Sequence, residues 1–233
     1  MPALAVRDGP RFEVPPYRLS GVVYGVLMNH RAALAALGDA VDRPPYKAAP
    51  EGVVLYVKPR NTLVAPGRPV QVGSDAGRVE VGAALGIVVG RAACAIDERR
   101  AAEHIAGYVI VGDFSVAHSS YFRPAIRLRA RDASCVFGPR VVAASAVADP
   151  DGLGVRVFVE GRLVHEASTG GTVRSVARLL ADVSDFMTLS AGDVLLAGVA
   201  PGAPCVGADV DVAIEIDGLG RLEVRTASEQ ALA

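Results

Sequence analysis

The sequence predicts a β-rich α+β fold, a mixed β-roll or sandwich carrying a few short helices, and three observations lead to it. Short apolar runs bounded by glycine, proline or aspartate recur along most of the chain. Two of them fold back at turn-forming residues, Glu160-Gly161 and Asp217 to Gly220. Only Val173 to Met187 keeps a helical apolar spacing over several turns. With 233 residues, 51% of them hydrophobic, the chain has material for one sizeable core, and β-rich chains of this length commonly form one domain.

Residues 1–20 contain four of the fifteen prolines and little periodicity, which predicts a leader packing over the domain. GVVYGVL, from Gly21, is a short strand. It runs into NHRAALAALGDAV, where Asn29 is placed to cap a helix with Leu34 and Leu37 on its apolar side, and Pro44-Pro45 ends that helix. VVLYVKPRNT is a strand stopped by Pro59, with Lys58 as its last residue. VEVGAALGIVVG is a long strand whose glycines permit close backbone approach, and Asp97 caps a short helix, DERRAAEHIA.

GYVIVGDF is a buried strand running to Asp113. In RPAIRLRARD, Arg127, Arg129 and Arg131 recur at period two, the spacing of one strand face. The hairpins VRVFVEGRLVHE and DVAIEIDGLGRLEVRT flank the best helix, in which Val176, Leu179, Leu180, Val183 and Phe186 form one apolar face. The domain is therefore expected over 21–226, with 227–233 as a tail.

A balance of 24 Lys+Arg against 25 Asp+Glu offers no basic field for a phosphate backbone and argues against nucleic acid as a partner. Only Lys47 and Lys58 among the positive residues are lysines, a bias that makes arginine abundance uninformative. The longest uncharged stretch, Val194 to Ala208, contains two prolines and falls short of the roughly 20 apolar residues of a membrane helix. MPALAVRDGP lacks the pattern of a signal peptide, so a cytoplasmic protein is expected. Cys94, Cys135 and Cys205 are too few and too widely spaced for a disulfide framework or a zinc ribbon and read as small core residues. No glycine-rich nucleotide loop, nucleophile elbow or zincin motif is present. Histidines 30, 104, 118 and 165 lie on different elements, which gives a histidine metal cluster no support from spacing.

The order of the segments carries a resemblance. YK-x(5)-VVLYVKPRNTL, V-x-VGAALGIVVGR, HIAGYVIVGDFS, YFRPAIRLRARD, FMTLSAGDVLLAG and DVDVAIEIDGLGRL, in that order from about Gly21 to Thr226, resemble the fumarylacetoacetate hydrolase family. MNHRAAL, PPYKAAP, VKPRNT, AGYVIVGD and SYFRPAIRLRARD are similar to its branch of bifunctional isomerase/decarboxylases of 4-hydroxyphenylacetate (homoprotocatechuate) degradation, in their N-terminal half or first subunit. The resemblance implies a fumarylacetoacetate-hydrolase-like β-roll. It also implies 2-oxo or enol dicarboxylic acid substrates and a divalent metal, Mg2+ or Mn2+, that stabilises an enolate. In the family pattern the metal is held by an E-x-E pair on the long strand and by an aspartate ending the next.

At that point this chain departs from the pattern. Gly82 and Ala84 stand in place of the glutamates, while the aspartate is present as Asp113. One carboxylate seldom holds Mg2+. Glu80 and His118 are near in sequence, but Glu80 lies further along the strand, so the expectation is an empty metal site. The family's lid histidine aligns with Ala33, its lysine near the arginine series with Arg129, and the threonine of its T-G-T-P turn with Val199. Lys58 and Arg129 remain as catalytic candidates, and Arg123, Arg127 and Arg131 as carboxylate-binding forks, with a merely solvated strand face as the competing reading. These features lead to three expectations. The first is a metal-free supporting subunit, homodimeric or paired with a metal-binding paralogue; the second is a stand-alone lyase or hydrolase of 2-oxo diacids; the third is a binding or structural protein with a relict pocket.

Overall fold

The structure is a computed structural model that describes residues 12–14, 17–19, 21–64, 67–118 and 126–228. A small antiparallel ribbon, β1 (Phe12–Val14) and β2 (Tyr17–Leu19), precedes two larger sheets. In chain order these use β3 (Val23–Leu27), β4 (Val54–Lys58), β5 (Leu63–Val64), β6 (Val70–Val72), β7 (Val79–Val89), β8 (Ile105–Ser115), β9 (Cys135–Phe137) and β10 (Val142–Ala143). They continue with β11 (Gly154–Val159), β12 (Arg162–Ser168), β13 (Val194–Val199), β14 (Cys205–Val206), β15 (Asp211–Ile216) and β16 (Gly220–Ser228). The three α-helices are α1 (Arg31–Leu37), α2 (Ile126–Arg129) and α3 (Val176–Phe186). The nine-stranded sheet runs β4-β3-β13-β7-β8-β9-β5, with β10 on β8 and β14 on β7; the five-stranded sheet runs β12-β11-β15-β16-β6.

The paired strands β7 and β8, eleven residues each, form the centre of the molecule. Alternation along β7 sends Val81, Ala83, Leu85, Ile87 and Val89 into the main core and Ala84 and Val88 into a second cluster with Val109, Val111, Val194 and Leu196. A strand buried on both faces has no need of polar alternation, which explains its near-continuous apolar sequence. Against the main core lies α3, through Val176, Leu179, Leu180 and Val183. Glu160 and Gly161 take φ of 49° and 74°, the double left-handed turn that a two-residue hairpin requires. Asp97 caps the 3-10 helix Glu98–His104 by accepting from the Arg99 N–H. Among the described residues no helix is long and apolar enough to cross a membrane.

Four expectations need correction. The residue at the N-cap of α1 is His30, and Asn29 does not cap it. The buried Asn29 amide instead donates to the carbonyls of Ala197 (2.8 Å) and Arg174 (3.3 Å) and accepts from the Arg174 N–H (3.0 Å), tying β3 to β13 and to the entry of α3. Three tertiary partners outweigh one local cap. Asn29→Ala is accordingly expected to cost about 2 kcal/mol by stranding these buried groups, seen as a lower denaturant midpoint at unchanged slope. Phe186 is 61% exposed, because α3 ends there and Ser184 makes the inward contact, its hydroxyl accepting from the Ile96 N–H at 3.1 Å. Cys94 is exposed and Cys205 half-buried, leaving Cys135 as the buried thiol. The arginine series is not a strand face, since Arg127 and Arg129 lie in α2, where residues two apart point to roughly opposite sides. Arg123, most of the 1–20 leader and the end of the 227–233 tail lie outside the described residues.

Candidate functional site

Asp113 lies on β8 directly opposite Gly82 of β7 and Cys135 of β9. Directly opposed residues share a sheet face, so all three look toward the second core cluster. Tyr56 and Lys58, two apart on β4, present both side chains to the same region. The Tyr56 ring passes over β3 at Gly25, where an added Cβ would meet ring carbon 2.0 Å away, so glycine is required. From α2, Arg129 completes the cluster. Exposure is 0% for Lys58, 1% for Asp113, 4% for Tyr56 and 7% for Arg129.

Within it Asp113 faces three groups of the same chain. The Lys58 ammonium lies 2.8 Å from Oδ1, the Tyr56 hydroxyl donates to Oδ2, and the Arg129 guanidinium approaches Oδ2 at 3.6 Å while stacking 4.6 Å from the Tyr56 ring centre. Lys58 also donates to the carbonyls of Arg129 (2.6 Å) and Phe114 (3.2 Å) and to Ser134 Oγ (3.1 Å). Burial, the Asp113 charge and the hydrogen bond to it push the Tyr56 phenol well above its ordinary range, opposed by Arg129. Burial pushes the Cys135 thiol up to about 12, against the pull of Lys58. Neither group is a nucleophile at neutral pH in this setting.

A divalent cation does not fit this donor set. Gly82 has no side chain, and a Cβ there would lie 2.4 Å from the Asp113 carbonyl oxygen; Ala84 offers no donor. Both Asp113 oxygens face the chain's own donors, and metal ligation would have to displace a buried ammonium. Burial raises the pKa of Glu80, with Arg129 and then His118 opposing. Among the described residues no group of three or more His, Cys, Asp or Glu is arranged to hold a metal. A carboxyl whose pKa is higher in the folded than in the unfolded chain loses stability as pH rises from the unfolded toward the folded value. Glu80→Gln is therefore expected to raise Tm at pH 7 and to leave it unchanged near about pH 4, below the unfolded carboxyl value, as thermal melts at the two pH values would show.

The structure gathers two of the sequence-derived candidates, Lys58 and Arg129, around Asp113 and places Arg127 and Arg131 apart from it. Arg131 forms a two-pronged ion pair with Asp75 (2.9 and 2.7 Å), and Arg127 is exposed beside it. Tyr56 and Ser134, both central to the cluster, were not among the candidates; the i, i+2 spacing of Tyr56 and Lys58 on one strand is the signal that could have found the first. On the opposite face of β7, His30 and His165 line a small apolar cleft with Ala83, Leu85, Val155 and Ala197, and burial lowers the pKa of both imidazoles.

Comparison with known proteins agrees with this architecture. Residues 22–227 match the family model described as fumarylacetoacetate hydrolase, C-terminal. The 4-hydroxyphenylacetate degradation bifunctional isomerase/decarboxylase of Escherichia coli is 36% identical over 180 residues, which are 77% of this chain and 41% of that protein, so the chain spans less than half of this curated relative. Among solved structures, 5-carboxymethyl-2-hydroxymuconate delta-isomerase from Mycobacterium smegmatis superposes with a TM-score of 0.75 at 29% identity, covering 90% of this chain and 79% of its own. A fumarylpyruvate hydrolase from Pseudomonas aeruginosa, holding Mn2+ and pyruvate, shares the fold with a TM-score of 0.79 at 24% identity over 97% of this chain and 99% of its own.

Proposed function

The chain belongs to the fumarylacetoacetate hydrolase family, and on that premise we propose that it is the metal-free supporting subunit of an isomerase/decarboxylase acting on 2-oxo or enol dicarboxylic acids in 4-hydroxyphenylacetate catabolism. One observation carries the reading: the family's remaining ligand position, Asp113, is neutralised by Lys58 and Arg129 of the same chain, opposite a glycine where the pattern has a glutamate. A site so closed has no open cation at which an enolate could form. In this reading a paralogous subunit with both glutamates carries out the chemistry. This chain then contributes interface area, stability and rim groups, among them the exposed Arg127, whose guanidinium suits a substrate carboxylate.

The test is turnover of 5-carboxymethyl-2-oxo-hex-3-ene-1,7-dioate with Mg2+ or Mn2+, followed by substrate absorbance and CO2 release. The purified chain alone is expected to show background rates. Adding the paralogue is expected to give more than the paralogue's own rate. Metal-dependent turnover by the chain alone, abolished in Asp113→Asn, would overturn the reading in favour of a stand-alone lyase or hydrolase of 2-oxo diacids.

A further inference from the structure

We propose that the Lys58 ammonium is a built-in cation that Asp113 holds in place of a dissociable one, and that removing it uncovers an oxygen-lined cation site. Four oxygen atoms surround Nζ: Asp113 Oδ1 at 2.8 Å, the carbonyls of Arg129 at 2.6 Å and Phe114 at 3.2 Å, and Ser134 Oγ at 3.1 Å. A carboxylate, two carbonyls and a hydroxyl form the kind of hard-oxygen shell that cations take. Here it is filled by a side chain that is 0% exposed. The four oxygens come from β8, from the end of α2 and from the residue before β9, so the ammonium at the end of β4 joins parts of the chain up to 76 positions apart. Ser134 is held for this contact, because its hydroxyl hydrogen goes to the Arg131 carbonyl at 2.7 Å and its lone pairs remain for Lys58. Lys58 is thus a positioning residue rather than a catalytic one, tethering the segment that carries Arg129.

This inference rests on the metal-free reading and adds what fills the site. It has a direct test in the unaltered protein, because the chain has only two lysines. Reductive methylation of the folded chain, followed by peptide mass spectrometry, is expected to modify the exposed Lys47 at least about tenfold faster than Lys58, whose amine reacts only on local opening. In unfolding denaturant the two are expected to react alike. Equal rates in the native protein would overturn the proposal without touching the metal-free reading.

The second arm uses Lys58→Ala. Its Tm is expected to fall by about 10 °C, as for a buried ion pair left with one partner, and to recover in part with methylammonium or ammonium chloride but not with tetramethylammonium chloride. The same ions are expected to leave the Tm of the unaltered chain and of Lys58→Ala/Asp113→Asn unmoved. Failure of every cation to restore a folded Lys58→Ala overturns the cation-site half of the proposal. Stoichiometric Mn2+ binding by the unaltered chain, lost in Asp113→Asn and read by electron paramagnetic resonance, would instead overturn the metal-free reading together with it.

Discussion

Asp113→Ala is expected to lower stability by about 3–5 kcal/mol, because it leaves an ammonium and a guanidinium buried without their shared counter-charge. The direction follows from burial. An exposed ion pair at the same distance would contribute at most about 1 kcal/mol, whereas Lys58 and Asp113 have fully buried side chains. Part of the loss is the unsatisfied Tyr56 hydroxyl, so Asp113→Asn, which keeps an acceptor, is expected to be milder. The double variant Lys58→Met/Asp113→Asn removes both charges and is expected to be more stable than Asp113→Ala. Chemical denaturation of the three variants checks this. A loss below about 1 kcal/mol for Asp113→Ala would mean that water reaches the cluster.

Rebuilding the family's glutamate pair is expected to fail. Gly82→Glu places a Cβ 2.4 Å from the Asp113 carbonyl oxygen and 3.1 Å from a Val199 methyl, so β7 must shift against a backbone atom. Overpacking of that kind costs about 1–3 kcal/mol before the new carboxylate is buried beside Asp113, which adds like-charge repulsion and desolvation. Gly82→Glu/Ala84→Glu is therefore expected to melt at least about 5 °C below the unaltered chain and to gain no protection from Mn2+. Thermal melts with and without Mn2+ decide it. Stabilisation by the ion, which mass action sets at about 2.7 kcal/mol for a hundredfold excess over Kd, would show that the Lys58 contact yields to metal.

Much of the fold was legible in one dimension because it depends on periodicity and turn chemistry. The hairpin turns lie at Glu160-Gly161 and at Asp217 to Gly220, and the inward face of α3 follows Val176, Leu179, Leu180 and Val183. The arginine series shows where such signals fail. Period two over three charged residues fits a strand, but a single helical turn is too short to display a period of its own, and burial separated Arg129 from Arg127. Asn29 misled for a related reason. An asparagine before a helix has a local use as a cap and a tertiary use as a bridge, and only packing decides between them.

By itself the sequence determined the β-rich class and the family, and it carries the expectation that Gly82 and Ala84 stand where the family pattern has its metal-binding glutamates, since these are statements about residue types in order along the chain. The tertiary structure alone decided what Asp113 does in the absence of those glutamates. Lys58 and Tyr56 from β4 and Arg129 from α2 converge on it, and Ser134, just before β9, holds Lys58 in place. Their energetics depend on distance and on exclusion of water, quantities that no spacing in the sequence carries.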